Sequence, residues 1–79
     1  MNVVYDPYEI KLAKEIATVL DDMDSLQLHL QYARKYKEEF LRKILLKVMS
    51  LPEAQIKRSR AALYTFLVNQ GASHGSARY

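Results

Sequence analysis

Apolar residues recur along the first third of this chain at the three- and four-residue spacing of an amphipathic helix. They form a wide stripe made of Ile10, Leu12, Ala13, Ile16, Ala17, Val19, Leu20 and Met23. The stripe follows Asp6–Glu9, which provides an acidic N-cap, a proline and a glutamate three residues after the cap. This pattern predicts a first helix that begins at Pro7 and buries one broad face.

Three acidic residues, Asp21, Asp22 and Asp24, follow the first apolar stripe. Negative charges are unfavourable at the C-terminal end of a helix and favourable at the start of the next one. Asp24–Gln27 also has the residue spacing of a capping box. We therefore expect a turn at residues 21–24, followed by a second helix.

The apolar positions of residues 26–48 fit either one long helix or two shorter helices. A cluster of cations at residues 34–37 precedes the acids Glu38 and Glu39. Cations that close one helix, followed by acids that open the next, match the two helix dipoles. The order of charges favours a break near Tyr36–Lys37.

The last helix is predicted to start at Ser50–Glu53. The Ser50 side chain can cap the helix, the Glu53 side chain can accept a hydrogen bond from the backbone N–H of the cap residue, and Pro52 fits the first turn. It is expected to run from Pro52 to about Asn69, with Gly71 just past its end. Its expected apolar face is made of Ile56, Leu63, Phe66 and Leu67.

A length of 79 residues suits one domain, placed at residues 1–70. The small and polar residues 71–79 are expected to form a flexible tail. Both glycines, Gly71 and Gly75, lie near the C-terminus, so strands joined by tight turns are not indicated. The predicted fold class is all-α: a small bundle of three to four short helices with a disordered C-terminal tail.

Little in the composition supports catalysis. The chain has no cysteine, which removes disulfides and thiolate zinc sites, and it has no glycine-rich phosphate loop. His29 stands alone on an amphipathic helix and is interpreted as a structural residue. We expect no enzyme activity, no cofactor, no metal and no small-molecule substrate. We also expect no membrane partner and a cytoplasmic location, because no apolar run or secretory signal is present.

The net charge of +3 hides an uneven distribution. Residues 1–33 carry −4, whereas residues 34–79 carry +7. Five cations without a nearby acidic residue of their own helix are the candidates for contacts with nucleic-acid phosphates, which would be non-sequence-specific and salt-sensitive: Arg34, Lys35, Lys37, Arg58 and Arg60. A solvated surface and an acidic protein partner are the alternatives. On the predicted last helix, Arg58 and Arg60 share one side with Lys57.

Some apolar residues exceed what a single buried face needs. Leu28 lies two positions from both Leu26 and Leu30, so one helix face cannot bury all three. The excess indicates a contact with a protein partner or a second copy of the chain. The candidate residues are Leu12, Val19, Met23, Leu28 and Leu46. The alternative is a helix that is buried on two sides within one chain.

Three segments, Tyr32–Tyr36, Phe40–Leu45 and Lys57–Val68, together resemble helical segments near the ends of plasmid and phage replication initiators and other mobile-element proteins. In those proteins a basic stretch runs into a helix with a small-aromatic-x-x-Leu pattern. The resemblance covers about residues 30–70, without the winged-helix or catalytic part. We predict a non-enzymatic helical interaction module. The alternative, which the resemblance implies, is a nucleic-acid-binding accessory protein of replication or mobile-element machinery.

Overall fold

The computed structural model describes residues 4–73, and its fold class is all-α, as the sequence predicts. Within this range the helices are α1 (Pro7–Val19), α2 (Leu26–Lys35), α3 (Glu38–Ser50) and α4 (Arg60–Ser73). Two short 3-10 turns cover Met23–Ser25 and Glu53–Gln55. The chain divides after Glu38 into two compact units. Unit 1 holds α1 and α2, and unit 2 holds α3 and α4.

In unit 1, α1 begins with the capping box that the sequence predicts. The Glu9 N–H donates to Asp6 Oδ1 at 2.9 Å, and the Asp6 N–H donates to Glu9 Oε1 at 3.0 Å. Pro7 occupies the first turn, where its missing N–H costs nothing. Helix α1 packs against α2. Its buried apolar residues are Leu12, Ala13, Ile16 and Ala17.

Helix α1 ends in a Schellman motif whose left-handed residue is an aspartate. The Asp22 N–H donates to Ala17 O at 2.7 Å. The Asp21 N–H donates to Thr18 O at 3.1 Å. Asp21 has a φ of 54°, a conformation that glycine adopts readily and that aspartate tolerates better than most residues. The predicted turn after α1 is thus confirmed, and Asp21 belongs to the end of α1.

The acids before α2 do not cap it. Ser25 occupies the N-cap position and its side chain makes no cap hydrogen bond, so the capping box predicted over Asp24–Gln27 is wrong. Asp22 instead accepts a hydrogen bond from His29 Nε2 at 2.9 Å. Because His29 lies within α2 and is only 1% exposed, this bond fixes the turn to the buried side of α2.

The break that the sequence favours near Tyr36–Lys37 is present. The Tyr36 N–H still closes the last turn of α2 onto Tyr32 O at 2.9 Å. Its backbone is then extended (φ −118°, ψ 155°), which stops the helix. Helix α3 starts two residues later, at Glu38. Two shorter helices therefore replace the single long helix that the apolar pattern also allowed.

In unit 2, the start of α4 differs most from the prediction. Ser50 is the last residue of α3, and its Oγ donates to the carbonyl four residues earlier at 2.7 Å, so Ser50 is not an N-cap. The backbone of Ile56 is extended (φ −92°, ψ 108°) and interrupts the helical run. Helix α4 begins only at Arg60, where Ser59 Oγ accepts the Ala62 N–H at 3.0 Å. Ser59 is the residue that caps α4.

Helix α4 also buries a different face from the one predicted. The buried residues are Tyr64 and Val68, whereas Phe66 is 58% exposed. Residues of α3 that are buried in the same unit are Phe40, Leu41, Leu45 and Val48. The prediction that Phe66 is buried is therefore wrong, whereas the other members of the predicted face, Leu63, Leu67 and Ile56, are half-buried.

The C-terminal end of α4 lies beyond the predicted one. Gly71 was expected just past the helix, but it lies inside α4, which continues through Ser73. Helix α4 therefore includes residues 71–73, the first part of the predicted tail. The rest of that prediction, residues 74–79, lies outside the described residues.

Candidate functional site

Unit 2 contains a groove of about 300 Å³ that lies along the first two turns of α4 and the connection before it. Its apolar lining consists of Ile56, Ala62, Leu63 and Phe66. Pockets that bind small ligands start at about this volume, so the groove suits a few side chains of a partner. An exposed aromatic residue in such a lining is the kind of anchor that dominates protein interfaces. We call this feature the α4 groove.

The polar lining of the α4 groove is basic. It comprises Gln55, Lys57, Arg58 and Ser59. Lys57 and Arg58 are exposed, and neither has an ion-pair partner among residues 4–73. We call Lys57 and Arg58 the basic rim. Apolar lining beside two uncompensated cations favours a ligand that is both apolar and negatively charged.

The local fold explains why these residues meet. The extended backbone at Ile56 ends the 3-10 turn, so residues 56–59 lie outside α4 and line the groove together with its first two turns. Ser59 fixes the start of α4 through its cap hydrogen bond. Arg60 Nη1 donates to Val48 O at 2.6 Å and holds that start to α3. These two hydrogen bonds therefore hold the start of α4, which forms part of the groove, in a fixed position.

Of the five candidate phosphate-binding cations, Arg34 forms an ion pair within unit 1. Its Nε donates to Glu9 Oε2 at 3.1 Å and its Nη2 donates to Glu9 Oε1 at 2.8 Å, which is a two-point ion pair. Nη2 also donates to Val4 O at 2.6 Å, and the guanidinium lies 4.6 Å from the centre of the Tyr5 ring. Arg34 thus has no acidic partner in its own helix, as the sequence indicates, and pairs with Glu9 of α1.

The ion pair changes the acidity of both partners. The side-chain hydrogen bond from Arg34, followed by the backbone hydrogen bond from Asp6, holds the pKa of Glu9 below its ordinary value. The hydrogen bond to Glu9 raises the pKa of Arg34. Arg34 therefore fixes the N-terminal segment of unit 1 to α2 as a permanently charged group.

The predicted basic helical face also changes in the structure. Because α4 starts at Arg60, Lys57 and Arg58 lie in the connection and share no helix side with Arg60. Arg60 is half-buried and donates to the carbonyl of Val48. Lys35 and Lys37 are exposed, as expected, and Lys35 Nζ lies 5.6 Å from the centre of the Tyr36 ring.

The five apolar residues predicted to bind a protein differ in how far their side chains are exposed. Leu12 is 2% exposed and belongs to the core of unit 1, so its assignment to a surface is wrong. Leu28 is half-buried. Val19, Met23 and Leu46 are exposed by 43%, 49% and 69%. The structure thus leaves three of these side chains accessible.

The exposure of Phe66 was not predicted from the sequence, which placed this residue on the buried face of the last helix. Helix α4 is apolar on more than one side, because Leu63, Phe66 and Leu67 form one stripe while Tyr64 and Val68 form another. Either stripe has helical spacing, and only the structure shows that Tyr64 and Val68 are the buried pair. The signal in the sequence was the presence of two stripes on one short helix.

No three His, Asp or Glu side chains between residues 4 and 73 come together as a metal site. None of the helices in that range combines the length and the apolar character that crossing a bilayer requires. No protein-family model, curated protein or solved structure matches this chain.

Proposed function

We propose that this protein is a small, non-enzymatic helical interaction module that docks a protein partner in the α4 groove. The observation that carries the proposal is Phe66, which is 58% exposed and lies in the apolar part of the groove lining. Burial of apolar surface contributes about 25 cal/mol per Å² to association. An apolar side chain of a partner that covers Phe66 therefore lowers the free energy of the complex, because it removes the exposed ring surface from water.

The basic rim defines the chemistry of the partner. A segment that inserts an apolar side chain between carboxylates matches both the lining and the charge of Lys57 and Arg58. Arg58 adds the two-point geometry that guanidinium groups form with carboxylates. Opposite charges on the two surfaces also speed association and orient the partner.

A labelled peptide tests the proposal. The probe is a fluorescein-labelled helical peptide with leucines on one face and glutamates beside them, and its affinity is measured by fluorescence anisotropy. We expect Phe66→Ser to weaken binding at least about tenfold, which corresponds to about 1.4 kcal/mol. The matched control is Met49→Ser, because Met49 is an exposed apolar residue of α3 that does not line the groove. Equal affinity of the wild-type protein and Phe66→Ser would contradict the proposal.

Charge reversal tests the rim in the same assay. The double variant Lys57→Glu/Arg58→Glu should bind the peptide more weakly and should lose the salt dependence of the wild-type affinity. The control is Lys43→Glu, which changes an exposed cation of α3 outside the groove. Binding that survives reversal of the rim would limit the proposal to the apolar lining.

A nucleic-acid-binding accessory protein is the second candidate. It is favoured by exposed cations that have no ion-pair partner among the described residues, among them Lys35, Lys37, Lys57 and Arg58. The resemblance to replication initiators and mobile-element proteins points in the same direction. Labelled duplex and single-stranded DNA, measured at low and physiological salt, test it. The dependence of affinity on salt gives the number of phosphates, with a slope of about −0.9 for each phosphate in duplex DNA.

A further inference from the structure

The turn that follows α1 presents a second exposed surface with the opposite charge. Val19 and Met23 are exposed by 43% and 49%. Thr18 Oγ1 lies 3.9 Å from Met23 Sδ, which places the methionine beside the last turn of α1. Asp21 and Asp24 are exposed in the same turn. We call Val19, Asp21, Met23 and Asp24 the acidic tip.

The acidic tip has the features that the α4 groove requires of a ligand. It combines two apolar side chains with two carboxylates in six residues. Methionine is unbranched and adapts to irregular apolar surfaces, and its sulfur makes favourable contacts with aromatic rings. Phe66 supplies such a ring in the groove, and Lys57 and Arg58 supply the opposite charges.

We propose that the α4 groove binds the acidic tip of a second copy of this chain. This inference rests on the proposed function and names the partner. Met23 of one copy packs on Phe66 of the other, and Asp21 and Asp24 lie beside the basic rim. Each copy uses two different surfaces, so the contact is head-to-tail and leaves one groove and one tip available for further copies.

The uneven charge of the chain supports this choice of partner. Residues 1–33, which contain the acidic tip, carry −4, and residues 34–79, which contain the groove, carry +7. Two copies therefore attract each other when the first part of one approaches the second part of the other. The same charges oppose a contact between two grooves or between two tips.

Mixing two variants tests the inference. Met23→Lys disables the tip and keeps the groove, whereas Phe66→Asp disables the groove and keeps the tip. Sedimentation velocity of the full chain at increasing concentration should show association of the wild-type protein and monomers for each variant alone. An equal mixture of the two variants should form a dimer, because one intact groove meets one intact tip. The control is Met49→Lys, which changes an exposed apolar residue of α3 outside the groove and the tip and should associate like the wild-type protein.

The folding of each variant is checked by its helical circular dichroism signal, since both residues are exposed and their replacement should keep the helices intact. If the mixture stays monomeric while the wild-type protein associates, copies meet through other surfaces and the inference is overturned. If the wild-type protein is monomeric but the acidic peptide binds, the inference is overturned and the proposed function stands. If the protein neither associates nor binds the peptide, both the inference and the proposed function are overturned.

Discussion

Glu9 accepts hydrogen bonds from two separate parts of unit 1. The Asp6 N–H donates to it from the start of α1, and Arg34 donates to both of its carboxylate oxygens from the last turn of α2. Arg34 also reaches the backbone oxygen of Val4. The carboxylate therefore joins a helix cap to a contact between two helices, and its charge matters for both.

The lowered pKa of Glu9 predicts how stability changes in acid. A carboxyl group whose pKa is lower in the folded state stabilises the fold above its unfolded pKa, about 4.3 for glutamate, and that contribution is lost as the pH falls through the folded pKa. We expect the melting temperature of the wild-type protein to fall below about pH 4, and Glu9→Gln to show a shallower fall.

Thermal unfolding followed by circular dichroism from pH 7 to pH 2 measures this difference. Glu39→Gln is the control, because Glu39 is exposed and lies outside the Glu9–Arg34 pair. Parallel pH profiles for the wild-type protein and Glu9→Gln would show that the ion pair does not stabilise the fold.

The sequence predicted only one half of this arrangement. The cap role of Glu9 follows from a spacing of three residues, which is a local rule. Its partner Arg34 lies 25 residues away, and no local rule links positions that far apart. The hydrogen bond between Asp22 and His29 was not predicted for a different reason, because the acidic residues fitted a helix cap equally well.

At the scale of secondary structure, the turn after α1 depends on a residue in the left-handed conformation. Asp21 provides the two backbone bonds of the Schellman motif together with Asp22. Aspartate tolerates this conformation, but glycine adopts it more readily. Aspartate also places a negative charge at the unfavourable end of α1.

We therefore expect Asp21→Gly to stabilise the protein by about 1 kcal/mol, less the entropy that glycine loses on folding. Such a change raises the melting temperature of a domain of this size by several degrees. Asp21→Asn separates the contribution of charge from that of conformation, and Asp21→Ala should lower the melting temperature. Thermal unfolding that ranks alanine equal to glycine would contradict a left-handed cap at this position.

The boundaries of α1, α2 and α3 were close to those expected, because each has charges or caps that agree with its apolar stripe. The start of α4 was not, because Ser50 and Ser59 both precede plausible helical sequence and only one of them caps. The backbone of Ile56 decides between them, and its extended conformation has no signature in the local sequence.

At the scale of the whole molecule, the sequence predicted the all-α class and the uneven charge, and these follow from residue types alone. It did not predict the α4 groove, because the groove requires residues 55–59 to lie outside the helix and Phe66 to lie on the exposed side. The groove could not be predicted because both the start of α4 and its buried face were predicted incorrectly.

A ¹H–¹⁵N NMR titration of the full chain with the acidic amphipathic peptide tests whether the α4 groove docks an acidic, apolar protein segment. We predict that the largest chemical-shift changes fall on residues 55–66, and that Phe66→Ser removes them. Changes centred on α1 and α2, or none at saturating peptide, would contradict the claim.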